Sequence, residues 1–163
     1  MSAELIERFY TAFGAKDAAG MAACYHPEVT FEDPAFGPLK GWRAAAMWHM
    51  LIEGGTDLRM EHSAVQAQGE TGSGHWEAWY TFSVTGRSVH NIIDSSFVFK
   101  DGRILQHTDV FDFWRWSRQA LGAPGIFLGW SGIVSGKVNK TANGNLDKWI
   151  EKNGAGAELI PPL

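Results

Sequence analysis

Apolar residues recur at helical spacing at the start of the chain, where Leu5, Ile6, Phe9 and Phe13 form one stripe. A repeat of three to four residues predicts an amphipathic helix. Ser2 caps it, Glu4 and Glu7 suit its positive end, and Gly14 stops it. Asp17 caps a short second helix carrying Met21 and Cys24, which ends before Pro27 because helix is disfavoured ahead of proline. Val29 to Asp33 reads as a short strand closed by Pro34. A loop with Gly37, Pro38 and Gly41 then leads to a third helix, from Trp42 to Glu53, ended by Gly54 and Gly55.

From Asp57 the period changes to two. Strand-like runs cover about 57–68, 75–85, 88–99 and 104–113. Their connections are the Gly-rich stretch 69–74, Gly86-Arg87, and Lys100 to Arg103, and short Gly-bearing links indicate antiparallel hairpins. Helices first and strands afterwards predict an α+β domain. Beyond Trp114, Trp116 to Leu121 looks helical and stops at Gly122-Ala123-Pro124-Gly125. An apolar run from Ile126 to Trp130 follows, then a helical stretch with Val138, Leu146, Trp149 and Ile150. Gly154 to Leu163 reads as a loose end.

The alternation also sorts side chains by face. Trp76, Ala78, Tyr80, Phe82 and Val84 share one face, which reads as a packing or homodimer surface. His75, Glu77 and Trp79 lie opposite, and we group them with His90, Asp94, His107, Asp109 and Phe111 on the other strands. That second face mixes aromatic and ionisable groups, as a ligand pocket does.

Composition narrows the function. The 163 residues suit one domain, 45% are hydrophobic, and eight Trp and ten Phe call for a large apolar interior, a cavity or an oligomer face. Net charge is −4 without a basic run, which argues against a nucleic-acid partner. Cys24 is the single cysteine, so there is no intrachain disulfide. The first residues lack the basic start of a signal peptide, and no run is apolar enough to span a bilayer. The expectation is a cytoplasmic protein with no membrane partner.

Two acids stand out. Asp33 ends an apolar strand, and Asp94 lies mid-strand, where Asp is depleted. Paired carboxyls in a dry pocket can divide the roles of base and proton donor. His75, His90 and His107 show no short metal-ligand spacing, so no metal is expected.

The order of elements resembles the nuclear-transport-factor-2-like, or SnoaL-like, superfamily of cone-shaped α+β domains. Arg8 to Asp17, Phe31-Glu32-Asp33-Pro34 and Ile92-Ile93-Asp94 followed by Asp101-Gly102-Arg103-Ile104 are similar to ketosteroid isomerase motifs. The resemblance implies a cone domain over 1–117, with N-terminal helices on a curved antiparallel sheet that encloses a pocket, and a helical extension over 118–163. It implies Asp33 as general base and Asp94 as a protonated donor in the oxyanion hole. The family's oxyanion-hole Tyr falls on Phe9, with Tyr10 beside it. The stretch from His75 to Asp112 also resembles limonene epoxide hydrolase. Its catalytic set would fall on Glu77, His75 and Asp109, with the water-holding pair at Phe31 and Asp33. Together these imply a cofactor-independent enzyme acting on a small apolar molecule. Catalysis would rest on Asp33, Asp94, Asp109 and Tyr10. Substrate would meet His75, Glu77, His90, His107, Phe9, Phe31, Phe111 and Trp79. A non-catalytic binder is the reading of another class.

Overall fold

The apolar stripe at the N-terminus becomes helix α1 (Ser2–Gly14), which buries Leu5, Ile6, Phe9, Tyr10 and Phe13. The structure, a computed structural model, describes residues 2–163. Asp17 caps α2 (Ala18–Ala23) by accepting the backbone N–H of Gly20 at 2.9 Å. Strand β1 (Tyr25–Asp33) is longer than the sequence suggests and already includes His26, which is buried. The Gly- and Pro-containing loop holds a short strand, β2 (Gly37–Lys40), before α3 (Trp42–Gly54). The remaining strands are β3 (Arg59–Gln68), β4 (Thr71–Phe82), β5 (Arg87–Lys100) and β6 (Arg103–Val110).

These six strands form one curved sheet in the order β2-β1-β6-β5-β4-β3. The meander from β3 to β6 is antiparallel throughout, whereas β1 runs parallel to β6. That parallel pairing, absent from the antiparallel sheet expected, sets Phe31 against His107 and Glu32 against Thr108. α1 crosses the concave face over β3 and β4. It can come so close because the inner face there is glycine: a Cβ at Gly72 would stand 2.7 Å from Ile6, and one at Gly74 would stand 2.7 Å from Tyr10.

Gly72 and Gly74 therefore mark the inner face, and the strand's alternation carries Trp76, Ala78, Tyr80 and Phe82 onto it. This reverses one expectation. The Trp76 face is the core side, packed by helices of the same chain, and the face expected to line the pocket at His75, Glu77 and Trp79 is the outer one. The reason lies in the pattern itself: both faces of β4 carry aromatics, and the face bearing the small residues is the one a helix can reach.

The C-terminal segment is helical, in α4 (Phe113–Leu121), α5 (Ala123–Leu128) and α6 (Gly132–Asn153). α4 lays Trp116 and Ala120 against Val89 at the open end of the concave face. α6 sinks Leu146 fully into the main core, and Asn139 and Asn143 donate to the carbonyls of Ala35 and Phe36. The last residues are tied down, contrary to the loose end expected. Ile160 is buried, and Arg103 donates to the carbonyls of Pro161 and Pro162 at 2.5 and 2.8 Å.

Candidate active site

One step beyond the registered pair Glu32–Thr108, neighbouring strands β1 and β6 present Asp33 and Asp109 to the same inner face. Ser95 pairs with Asp109 from β5, and Gly74 pairs with Ser95 from β4. A polar row thus crosses the sheet beneath α1, with the Tyr10 phenol standing over Gly74. The next row in, Phe31, His107 and Phe97, lies directly behind it on the same face.

Asp109 is 3% exposed, and its Oδ1 accepts three hydrogen bonds. Ser95 Oγ donates one in a very short contact, His107 Nε2 another at 2.9 Å, and Trp76 Nε1 a long third at 3.5 Å. Trp76 also donates to Ser95 Oγ at 3.1 Å, which directs the serine proton toward Asp109. The set suits an ionised carboxylate, because every neighbour donates and the charge is compensated by dipoles.

Behind Asp109 a chain of hydrogen bonds starts from Trp48. Indole Nε1 of Trp48 can only donate, and it gives its hydrogen to Tyr25 Oη at 2.8 Å. The Tyr25 hydroxyl contacts His107 Nδ1 at 2.8 Å. With Tyr25 donating there, the imidazole carries its proton on Nε2 and gives it to Asp109. Phe9 and Phe31 pack edge-on against the same ring, and Trp48 stacks on it. The ring cannot turn without breaking several contacts.

Asp33 is the opposite case. Its Oδ1 accepts the backbone N–H groups of Phe36 at 2.6 Å and Ala35 at 3.0 Å, which favours the anion. Burial outweighs them and, with the Asp109 charge nearby, pushes the Asp33 carboxyl up to about 7. Tyr80 accepts from Trp116 Nε1 at 2.8 Å and is pushed up to about 12, chiefly by burial and in part by the Asp33 charge. The Tyr10 hydroxyl is buried without a hydrogen-bond partner, and burial raises its pKa well beyond the usual phenol, so it remains a proton donor.

A model of the SnoaL-like domain family matches residues 6–107. The chain belongs to that family. No curated protein sequence matches it. Its fold is shared with a proposed polyketide cyclase from Pseudomonas putida (18% identity, TM-score 0.62, 74% of this chain and 98% of that one). An LEH-like epoxide hydrolase from M. tuberculosis aligns at 19% identity and TM-score 0.60, over 72% of this chain and 87% of its own. A proposed polyketide cyclase from Silicibacter aligns at 21% identity and TM-score 0.62, over 72% and 93%. At such identities the likeness establishes the fold.

Within this SnoaL-like domain the expected site residues divide into two groups. Asp33, Asp109, His107, Tyr10, Phe9 and Phe31 face the interior, and Phe111 packs at its edge. His75, Glu77, Trp79, His90 and Asp94 lie on the convex face. The placement of Asp94 in a shared pocket is therefore corrected: its side chain is 82% exposed and bonds His75 Nδ1 at 2.8 Å. The epoxide-hydrolase set is likewise split, since Glu77 and His75 are separated from Asp109 by the sheet. Glu77 instead makes a short contact with His90, whose ring stacks on Trp79.

The interior is filled by Phe9, Phe13, Phe31, Trp48 and Trp76 where an enclosed pocket was expected. Clefts of about 580 and 660 Å³ lie elsewhere, the first against Arg87, Arg115 and Arg118, the second against Arg8, Asp17 and Arg103. Among the described residues no three His, Cys, Asp or Glu side chains converge on a metal site. Ser95, Trp76, Tyr25 and Tyr80 are the site groups that sequence reasoning missed. Gly72 and Gly74, two positions apart on the Trp76 face, were the signal that could have found them.

Proposed function

We propose that this SnoaL-like domain is a cofactor-independent acid–base enzyme for a small apolar substrate. The reading is carried by two carboxyls side by side on parallel strands in opposite environments. Asp109 is held in place by Ser95, His107 and Trp76, while Asp33 exchanges its proton near neutrality. A buried carboxyl that holds its proton up to neutral pH suits a general base. Asp33 is the proton acceptor, able to take a hydrogen from carbon next to a carbonyl and return it elsewhere. Asp109 raises the proton affinity of Asp33 and fixes its position. The Tyr10 hydroxyl, kept protonated by burial, is a further donor at the Gly74 end of the row. Substrate would enter beside Asp33, the partly exposed end of the polar row, and displace aromatic side chains.

Such a base contributes about 10²–10⁴-fold, and one enolate donor about 10²–10³-fold. The test is solvent deuterium exchange into apolar cyclic ketones, followed by NMR. Exchange should collapse in Asp33→Asn, fall in Tyr10→Phe and survive in Asp94→Asn. Full exchange by Asp33→Asn overturns the reading.

One observation favours a second reaction. A proton-bearing Asp33 beside a fixed Asp109 anion also fits epoxide opening, with Asp33 protonating the ring oxygen and Asp109 drawing a proton from water. The pH profile separates the two. A base at Asp33 gives a rate that rises through about pH 7, and an acid there gives one that falls.

A further inference from the structure

The C-terminal helices end in an apolar tip that nothing covers. Phe127 is 72% exposed, Trp130 75% and Ile133 71%, with Ile126 and Leu128 about half exposed beside them. A cluster of large apolar side chains in the open marks a contact surface. The charge around it is equally one-sided. Although the whole chain carries −4, residues 113–146 contain Arg115, Arg118, Lys137 and Lys140 and no Asp or Glu.

Arg87 joins them from β5. It donates to the carbonyl of Gln119 at 2.7 Å, and its guanidinium lies against Gly122, the residue between α4 and α5. Arg87, Arg115 and Arg118 line one cleft of about 580 Å³. Among the described residues none of the five cations pairs with a carboxylate; the lysine and arginine ion pairs are those of Arg43, Arg59 and Lys100. Arg118 stacks on Trp114, whose Nε1 donates to the carbonyl of Ile126, so the cationic helix is fastened directly to the apolar tip.

We infer that this tip is a docking surface for an anionic lipid bilayer. Phe127, Trp130 and Ile133 would enter the interfacial zone, where an indole with an apolar body and a polar edge is favoured. The arginines and lysines around them would meet lipid phosphates. A second copy of the chain is the wrong occupant, since a symmetric contact would bring five cations against five. No helix among the described residues is long and apolar enough to cross a membrane, and the attachment inferred is a peripheral one. It revises the expectation of no membrane partner and goes beyond the acid–base reading, on which it does not depend.

The full chain is tested by sedimentation with vesicles of phosphatidylcholine alone, and with about one third phosphatidylglycerol. Binding is expected only to the anionic vesicles, with a blue shift in tryptophan emission and a loss at high salt. Each surface cation removed should weaken partitioning about fivefold, so Lys137→Gln with Lys140→Gln should cost about 25-fold. Phe127→Ser with Trp130→Ser should abolish binding while far-UV circular dichroism and the melting temperature hold. Equal binding to neutral vesicles, or none to anionic ones, overturns the inference. So does a dimer in light scattering that Phe127→Ser with Trp130→Ser dissociates, in the absence of vesicle binding.

Discussion

Tyr25 Oη lies 2.8 Å from Nδ1 of His107, and this contact sets the direction of every proton in the buried network. Trp48 can only donate to Tyr25, the Tyr25 hydrogen finds its acceptor at His107 Nδ1, and His107 then gives its Nε2–H to Asp109. Tyr25→Phe removes the middle of the chain and leaves Trp48 Nε1 and His107 Nδ1 buried without partners. Each orphaned group costs about 1–3 kcal/mol. Urea denaturation should report that loss, and ¹⁵N NMR should show His107 leaving its single Nε2–H tautomer. An unchanged tautomer in the variant would mean that Asp109 alone orients the ring.

The approach of α1 to the sheet depends on Gly74. A methyl group there would meet the Tyr10 ring at 2.7 Å, and that ring is fully buried and cannot swing aside. Gly74→Ala should therefore destabilise the fold by about 1–3 kcal/mol, the usual cost of overpacking. It should also displace the Tyr10 hydroxyl and lower turnover. Gly144→Ala, where a Cβ meets nothing, is the control.

The fold was legible because its local signals agree. The stripe of α1, the cap at Asp17 and the Gly-bearing hairpins from β3 to β6 each point to one structure. Asp33, Asp109 and His107 could be singled out as ionisable groups in apolar strands. The inner face could not be chosen as easily, because Trp76 and Trp79 make both faces of β4 look buried. Only tertiary contact shows that Trp79 is covered by Arg59 and His90 on the outside. The parallel pairing of β1 with β6 is a long-range relation, and nothing local encodes it. Yet it is what brings Asp33 beside Asp109.

On the convex face the ion pair of Asp94 with His75 makes a prediction of opposite sign for function. The hydrogen bond to Asp94, helped by Glu77, raises the His75 pKa. Asp94→Asn should lower it, as read by imidazole proton shifts in an NMR titration. Solvent exposure screens the pair, so stability should hardly change. Turnover should not change either. A large loss of activity in Asp94→Asn would place chemistry on the outer face and contradict the site drawn from Asp33 and Asp109.

The raised pKa of Asp33 carries a signature that needs no substrate. Its carboxyl titrates near 3.8 when unfolded and about 7 when folded, so between those values the native state binds more protons. Stability then falls as pH rises through that window. A shift of this size corresponds to at most about 4 kcal/mol between pH 4 and pH 8, at about 1.4 kcal/mol per pH unit. Asn at position 33 keeps an oxygen for the N–H groups of Ala35 and Phe36 but carries no charge to desolvate. Asp33→Asn should therefore be more stable than the parent at pH 8 and nearly equal to it at pH 4, which urea melts at the two values will measure. The same substitution should abolish proton transfer, because the stored cost of burying the charge is what makes Asp33 a base near neutrality. A parent whose stability does not depend on pH across this window would mean that Asp33 ionises as an ordinary surface carboxylate. Both the pH signature and its role as the base would then fail together.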